Sequence, residues 1–132
     1  MYLVSLYFDD KAAVRIESFI NKVSEKSGNT FMTDNNVPPH ITIASFQTNE
    51  EEKVIKILDE RIREINRGII TWASIGIFKS SVIFLAPILN EYLHNLSVNI
   101  YEGISLIENI SIRKYYLPFQ WMPHTTIAKK LA

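Results

Sequence analysis

Residues 39–44 read Pro39-His40-Ile41-Thr42-Ile43-Ala44, and residues 123–128 read Pro123-His124-Thr125-Thr126-Ile127-Ala128. Five of the six positions agree, and the two histidines stand 84 positions apart in opposite halves of the chain. The protein has only three histidines, so this repeat holds two of them. Each copy is rich in β-branched residues and reads as a strand. Side chains on a strand alternate with a period of two. His40, Thr42 and Ala44 are therefore expected on one face, with Ile41 and Ile43 on the other. In the second copy His124, Thr126 and Ala128 share a face, with Ile127 behind. A proline ahead of each copy ends hydrogen bonding and lets the chain enter the strand abruptly.

Outward from the first copy, Tyr2 to Phe8 is a β-rich run without a basic leader. It reads as a first strand rather than a secretion signal. Asp9 or Asp10 can cap a helix carrying Val14, Ile16, Phe19, Ile20 and Val23, which Lys26-Ser27-Gly28-Asn29 ends. A long loop from Thr30 to Pro39 follows, then the strand His40 to Phe46. Asn49 is a candidate cap for a helix that opens on Glu50, Glu51 and Glu52, where the helix dipole favours acids. That helix places Val54, Ile55, Ile57, Leu58, Ile62 and Ile65 on its buried side as far as Arg67-Gly68. Ile69 to Phe78 and Val82 to Pro87 read as a hairpin around Lys79-Ser80-Ser81. Asn90 starts a helix reaching about Glu108, Ile110 to Phe119 is expected to be extended, and Pro123 to Ala128 is the last strand.

The order is βαβα followed by ββαββ. Several connections are too short for a parallel crossover, so an α/β (α+β) fold with mostly antiparallel sheets is expected. At 132 residues the chain suits one domain, 1–132.

Composition narrows the function. Lysine plus arginine balances aspartate plus glutamate at 14 each, so the broad positive field of a protein that grips long nucleic acid is missing. The absence of cysteine removes disulfides, thiolate nucleophiles and cysteine zinc sites, and it suits the cytoplasm. Ile69 to Leu89 is apolar but broken by Lys79 and Pro87, so no membrane span is expected.

Two imidazoles and two hydroxyls suit phosphoester cleavage by general acid and base. Histidine titrates near neutrality, so one ring can accept a proton while the other gives one. Threonine hydroxyls can donate to the non-bridging oxygens as charge builds there. This chemistry needs no metal and no other cofactor. A zinc enzyme would want three protein ligands. His94, in a helical run beside Tyr92, Leu93 and Leu96, has no ligand spacing and reads as structural.

The stretches Pro-Pro-His-Ile-Thr-Ile-Ala-Ser-Phe and Trp-Met-Pro-His-Thr-Thr-Ile-Ala, one in each half, resemble the paired His-x-Thr motifs of the two-histidine phosphoesterase superfamily. That group includes the RNA 2′,3′-cyclic phosphodiesterases, once named 2′-5′ RNA ligases. The resemblance implies a bilobal fold, with two sheets related by pseudo-twofold symmetry around a central cleft. It implies a catalytic pair, His40 and His124, with His40 as proton donor and His124 as acceptor. Thr42 and Thr126 would hold the phosphate of an RNA end or nucleotide bearing a 2′,3′-cyclic phosphate. The chain departs from the family in being shorter than many members. Lys129-Lys130 also stands where an arginine often follows the second motif.

Further candidates flank the motifs. Phe46 shares the parity of His40, and Tyr115 and Trp121 precede the second motif, so each is a candidate for stacking on a base. Core packing is the alternative for Tyr115 and Trp121. Lys130 shares the parity of His124 and is a candidate phosphate contact, with a solvated tail as its alternative. The same groups would serve a module that binds a nucleotide or RNA end without turnover, or an enzyme that joins 2′-5′ ends reversibly. A monomer without a stable protein partner is expected.

Overall fold

Asp9 follows the first strand and caps the first helix. Its carboxylate accepts the Ala12 N–H at 2.8 Å, and Gly28, at φ 72°, closes the helix with its N–H on the Ser24 carbonyl. That left-handed conformation is the one glycine adopts without a side-chain penalty. In the computed structural model, which describes residues 1–131, the elements follow in order. They are β1 (Tyr2–Tyr7), α1 (Asp10–Ser27), α2 (Phe31–Asp34), β2 (His40–Gln47) and α3 (Glu51–Ile62). Then come β3 (Trp72–Phe78), β4 (Val82–Pro87), α4 (Glu91–Ile104), β5 (Ser111–Ile112), a 3₁₀ turn at Lys114–Tyr116, and β6 (Thr125–Ala128). The fold is α+β with two three-stranded antiparallel sheets, ordered β1-β2-β5 and β3-β4-β6.

The chain divides into two compact units. One comprises Met1–Ser5, Thr42–Thr71 and Ile88–Pro123; the other comprises Leu6–Ile41, Trp72–Pro87 and the chain from His124 onward. In the first unit α3 packs on α4. A Cβ on Gly103 would collide with the Arg61 side chain, whose guanidinium donates to the Asn99 carbonyl and side-chain oxygens at 3.1 and 2.9 Å. Asn90 caps α4 by accepting the Leu93 N–H at 2.9 Å. Leu93, Ile100 and Ile104 are buried along that helix at spacings of seven and four, a continuous helical stripe.

In the second unit α1 packs on β6. Ile16 and Ile20, one turn apart on α1, join Met32, Leu85 and Ile127 in a core flanked by Phe8, Trp72 and Ile83. The β3–β4 register sets Gly76 opposite Phe84 and Phe78 opposite Val82. Beyond them, β4 pairs with β6 so that Phe84 faces Thr126 and Leu85 faces Thr125. Between Ile83 and Phe84 the partner steps from Ala128 to Thr126, which leaves Ile127 without an opposite residue. Such an extra residue breaks the alternation of a strand. The parity that joins His124 to Thr126 therefore does not extend to Ala128 or to Lys130.

Several local expectations are corrected. The loop before His40 contains α2, one turn held by side-chain bonds. Asn29 accepts the Phe31 N–H, Thr30 donates to Asp34 at 2.6 Å, and Asn35 donates to the Phe31 carbonyl at 2.7 Å. Four residues are too few for a hydrophobic period to reveal. The segment 110–119 forms a strand only at β5 before turning at Lys114. On α3 only Val54 is buried, while Ile55 and Ile62 are exposed, because its five large apolar residues cover more of the helix than one face can bury. That helix starts at Glu51, two residues beyond Asn49, and ends at Ile62, short of Arg67; α4 likewise ends at Ile104 rather than near Glu108.

Gly76 makes a testable packing point. Its backbone lies beneath the Phe84 ring, and a Cβ there would run into that ring. Gly76→Ala is expected to cost about 1–3 kcal/mol, the usual penalty of overpacking. Urea unfolding should show a lower midpoint at an unchanged slope; a midpoint equal to wild type would refute the close approach.

Candidate active site

Both motif histidines lie in the second unit. His40 is the first residue of β2, and His124 immediately precedes β6. The two positions meet through a side chain. The Thr125 hydroxyl accepts the His40 N–H at 3.2 Å and donates to the His40 carbonyl at 2.6 Å. Thr125 is buried, 1% exposed. A hydroxyl can accept and donate at once, so one oxygen satisfies both peptide groups of His40. The backbone of His40 is thereby held one hydrogen bond from the residue next to His124.

The His40 ring has its own tether. Nδ1 lies 2.8 Å from the Pro38 carbonyl oxygen. A carbonyl oxygen only accepts, so Nδ1 must carry hydrogen there. That fixes the tautomer of the neutral ring and makes Nε2 the nitrogen available for proton transfer. Tyr7 flanks the same imidazole, with ring centres 5.9 Å apart and planes tilted by 40°. Its ring is largely exposed.

His124 is placed against aromatic rings. Phe78 and Phe84 stack at 4.1 Å, and each meets His124 edge-on, at 5.2 and 5.6 Å. The register fixes the place of Phe84 in this arrangement. Opposite residues in an antiparallel pair share a face, so Gly76, Phe84 and Thr126 form a row. Phe78 lies two positions beyond Gly76 on β3, on a diagonal from Phe84, and His124 stands two positions before Thr126, just ahead of β6. Phe84 is buried, while Phe78 keeps about a third of its surface exposed at 37%. Among the described residues, no three of His, Cys, Asp and Glu come together as a metal-holding group.

The other sequence candidates fall in different surroundings. Thr126 is half-buried on β6 in the second unit, and Thr42 is half-buried on β2 in the stretch belonging to the first. Phe46 is 1% exposed and stacked on Tyr2 at 5.8 Å, and Trp121 is 5% exposed. Rings so enclosed have no face left for a base, so both are packing residues. Tyr115 is exposed on the 3₁₀ turn. Lys130 directs its ammonium over the Phe31 ring at 4.9 Å, and its carbonyl accepts from the Asn29 amide. That cation–π contact gives the ammonium a partner within the protein. His94 packs against Phe119 at 4.4 Å in the first unit. Sequence reasoning passed over Thr125, Tyr7, Phe78 and Phe84. Only Thr125 left a trace, as the single position where the two hexapeptides differ.

Proline-led His-x-Thr strands, with a tethered imidazole in the first copy, define a class of two-histidine phosphoesterases. A family model described as the 2′-5′ RNA ligase superfamily matches residues 8–132, and the chain belongs to that family. No curated protein and no solved structure matches it. The family is one of phosphoesterases and RNA ligases. Among the described residues no helix is long and apolar enough to cross a membrane.

Proposed function

We propose that this protein hydrolyses a 2′,3′-cyclic phosphate, or a closely related phosphodiester, at an RNA end or on a nucleotide. His124 takes a proton from water as its oxygen bonds to phosphorus. His40 gives a proton from Nε2 to the ribose oxygen as its bond to phosphorus breaks. The product is a phosphate monoester, and no electrons change hands. Thr126 donates to a non-bridging oxygen, whose negative charge grows as the reaction proceeds. The observation that supports this reading best is the Nδ1 tether to Pro38, which leaves one defined nitrogen of His40 for proton transfer. Acid–base catalysis requires a defined nitrogen, because the group must lie within hydrogen-bond reach of the atom it serves.

A neutral base and a charged acid must coexist, so turnover should be bell-shaped in pH. Low pH protonates the base and high pH strips the acid. The rate should fall on both sides of an optimum as pH is varied from acid to alkaline. Initial rates on a 2′,3′-cyclic nucleotide across that range test this; a rate climbing steadily through pH 9 would indicate hydroxide attack instead. The family description also fits reversible joining of 2′-5′ ends. A panel of cyclic phosphates, linear 2′-5′ linkages and ADP-ribose cyclic phosphate separates joining from hydrolysis.

A further inference from the structure

The two hexapeptides differ at one position, Ile41 against Thr125. Both residues are buried, at 0% and 1% exposure. Burial selects for an apolar side chain, and threonine in place of isoleucine adds a polar group that must be satisfied there. It is satisfied on a single residue of the other copy. The hydroxyl bonds both the N–H and the carbonyl of His40, across 85 positions of sequence.

That geometry restrains more than a contact. Holding the N–H and the carbonyl on one oxygen restricts φ and ψ of His40, and these two angles aim its Cα–Cβ bond. The Pro38 carbonyl then holds the ring at Nδ1. Backbone and ring are fixed by separate bonds, and Nε2 has little remaining freedom. Ile41 has no hydroxyl and cannot return the bond, so the clasp acts on His40 alone.

We propose that Thr125 is the positioning residue for His40, aiming Nε2 at the reacting phosphate without touching substrate. The proposal rests on the acid–base role of His40 proposed above. Thr125→Val keeps the shape and removes the hydroxyl. It is expected to lower kcat by about ten- to a hundredfold, the range for a catalytic group displaced by about an ångström, with KM unchanged. Thr125→Ser restores the hydroxyl and should recover most of the rate. In the His40→Ala background, Thr125→Val should cost nothing more, because a residue acting only through His40 has nothing left to position.

The His40 amide gives a readout without catalysis. Its hydrogen exchange should quicken at least severalfold in Thr125→Val and stay slow in Thr125→Ser. If the valine variant does not fold, Thr125→Ala against Thr125→Ser makes the same comparison. Wild-type kcat in Thr125→Val overturns the proposal, as does an equal loss in Thr125→Ser or a full additional loss in the His40→Ala background. Full activity in His40→Ala removes the acid–base reading itself. The amide would then report whether the clasp still holds in a protein that does not use it for catalysis.

Discussion

His40→Ala and His124→Ala are each expected to lower turnover of a 2′,3′-cyclic nucleotide by about a hundredfold or more, the usual contribution of a positioned acid or base. Each variant should remain folded, because both imidazoles are only half-buried and neither belongs to the core of the second unit. The two losses should not multiply. A base without its acid, or an acid without its base, leaves little concerted proton transfer for the second substitution to remove. Removing His40 leaves the Thr125 clasp in place, because its bonds go to the backbone. Removing His124 takes away the imidazole packed edge-on to Phe78 and Phe84, so a small loss of stability should accompany the loss of rate. Chelator should leave the wild type active. Activity abolished by chelator and restored by zinc or manganese would replace the two-histidine mechanism with a metal-assisted one.

Thr126→Val should lower kcat by about a hundredfold or more, as loss of a donor to a developing oxyanion does, while changing KM little. Valine keeps the β-branched shape, so the pairing of Thr126 opposite Phe84 on β4 survives the change. The kinetic split carries the information. A contact that strengthens as charge develops on phosphate contributes to kcat, whereas one equally good before and during reaction contributes only to binding. A protein that merely binds RNA ends would show the opposite pattern. It would bind a 2′-phosphate nucleotide less tightly after the substitution, and the wild type would hydrolyse no ester in the panel. Calorimetric titration with a 2′-phosphate nucleotide, run beside the kinetics, distinguishes the two, and tight binding without hydrolysis would end the enzyme reading.

The repeat was legible because its meaning is local. Two copies of Pro-His-x-Thr on strands announce two imidazoles and two hydroxyls, since strand alternation depends only on neighbouring residues. Three of the helix ends were legible for the same reason. Asp9, Gly28 and Asn90 act on peptide groups within four positions of themselves, and the structure finds each doing so. The family followed from those motifs, and the match over residues 8–132 bears it out.

What sequence could not supply depends on partners distant along the chain. Alternation put Phe46 on the face of His40, but burial against Tyr2 removes it from any ligand. Parity placed Lys130 with His124, yet the slip at Ile127 breaks that parity and the ammonium goes to Phe31. Phe84 comes to stand opposite Thr126, two residues from His124, through the pairing of β4 with β6, and register is set by pairing across the sheet rather than by the composition of any one strand. Thr125 is the clearest case. In sequence it is a mismatch in a repeat, and it becomes the clasp on His40 only when folding brings residues 40 and 125 within one hydrogen bond.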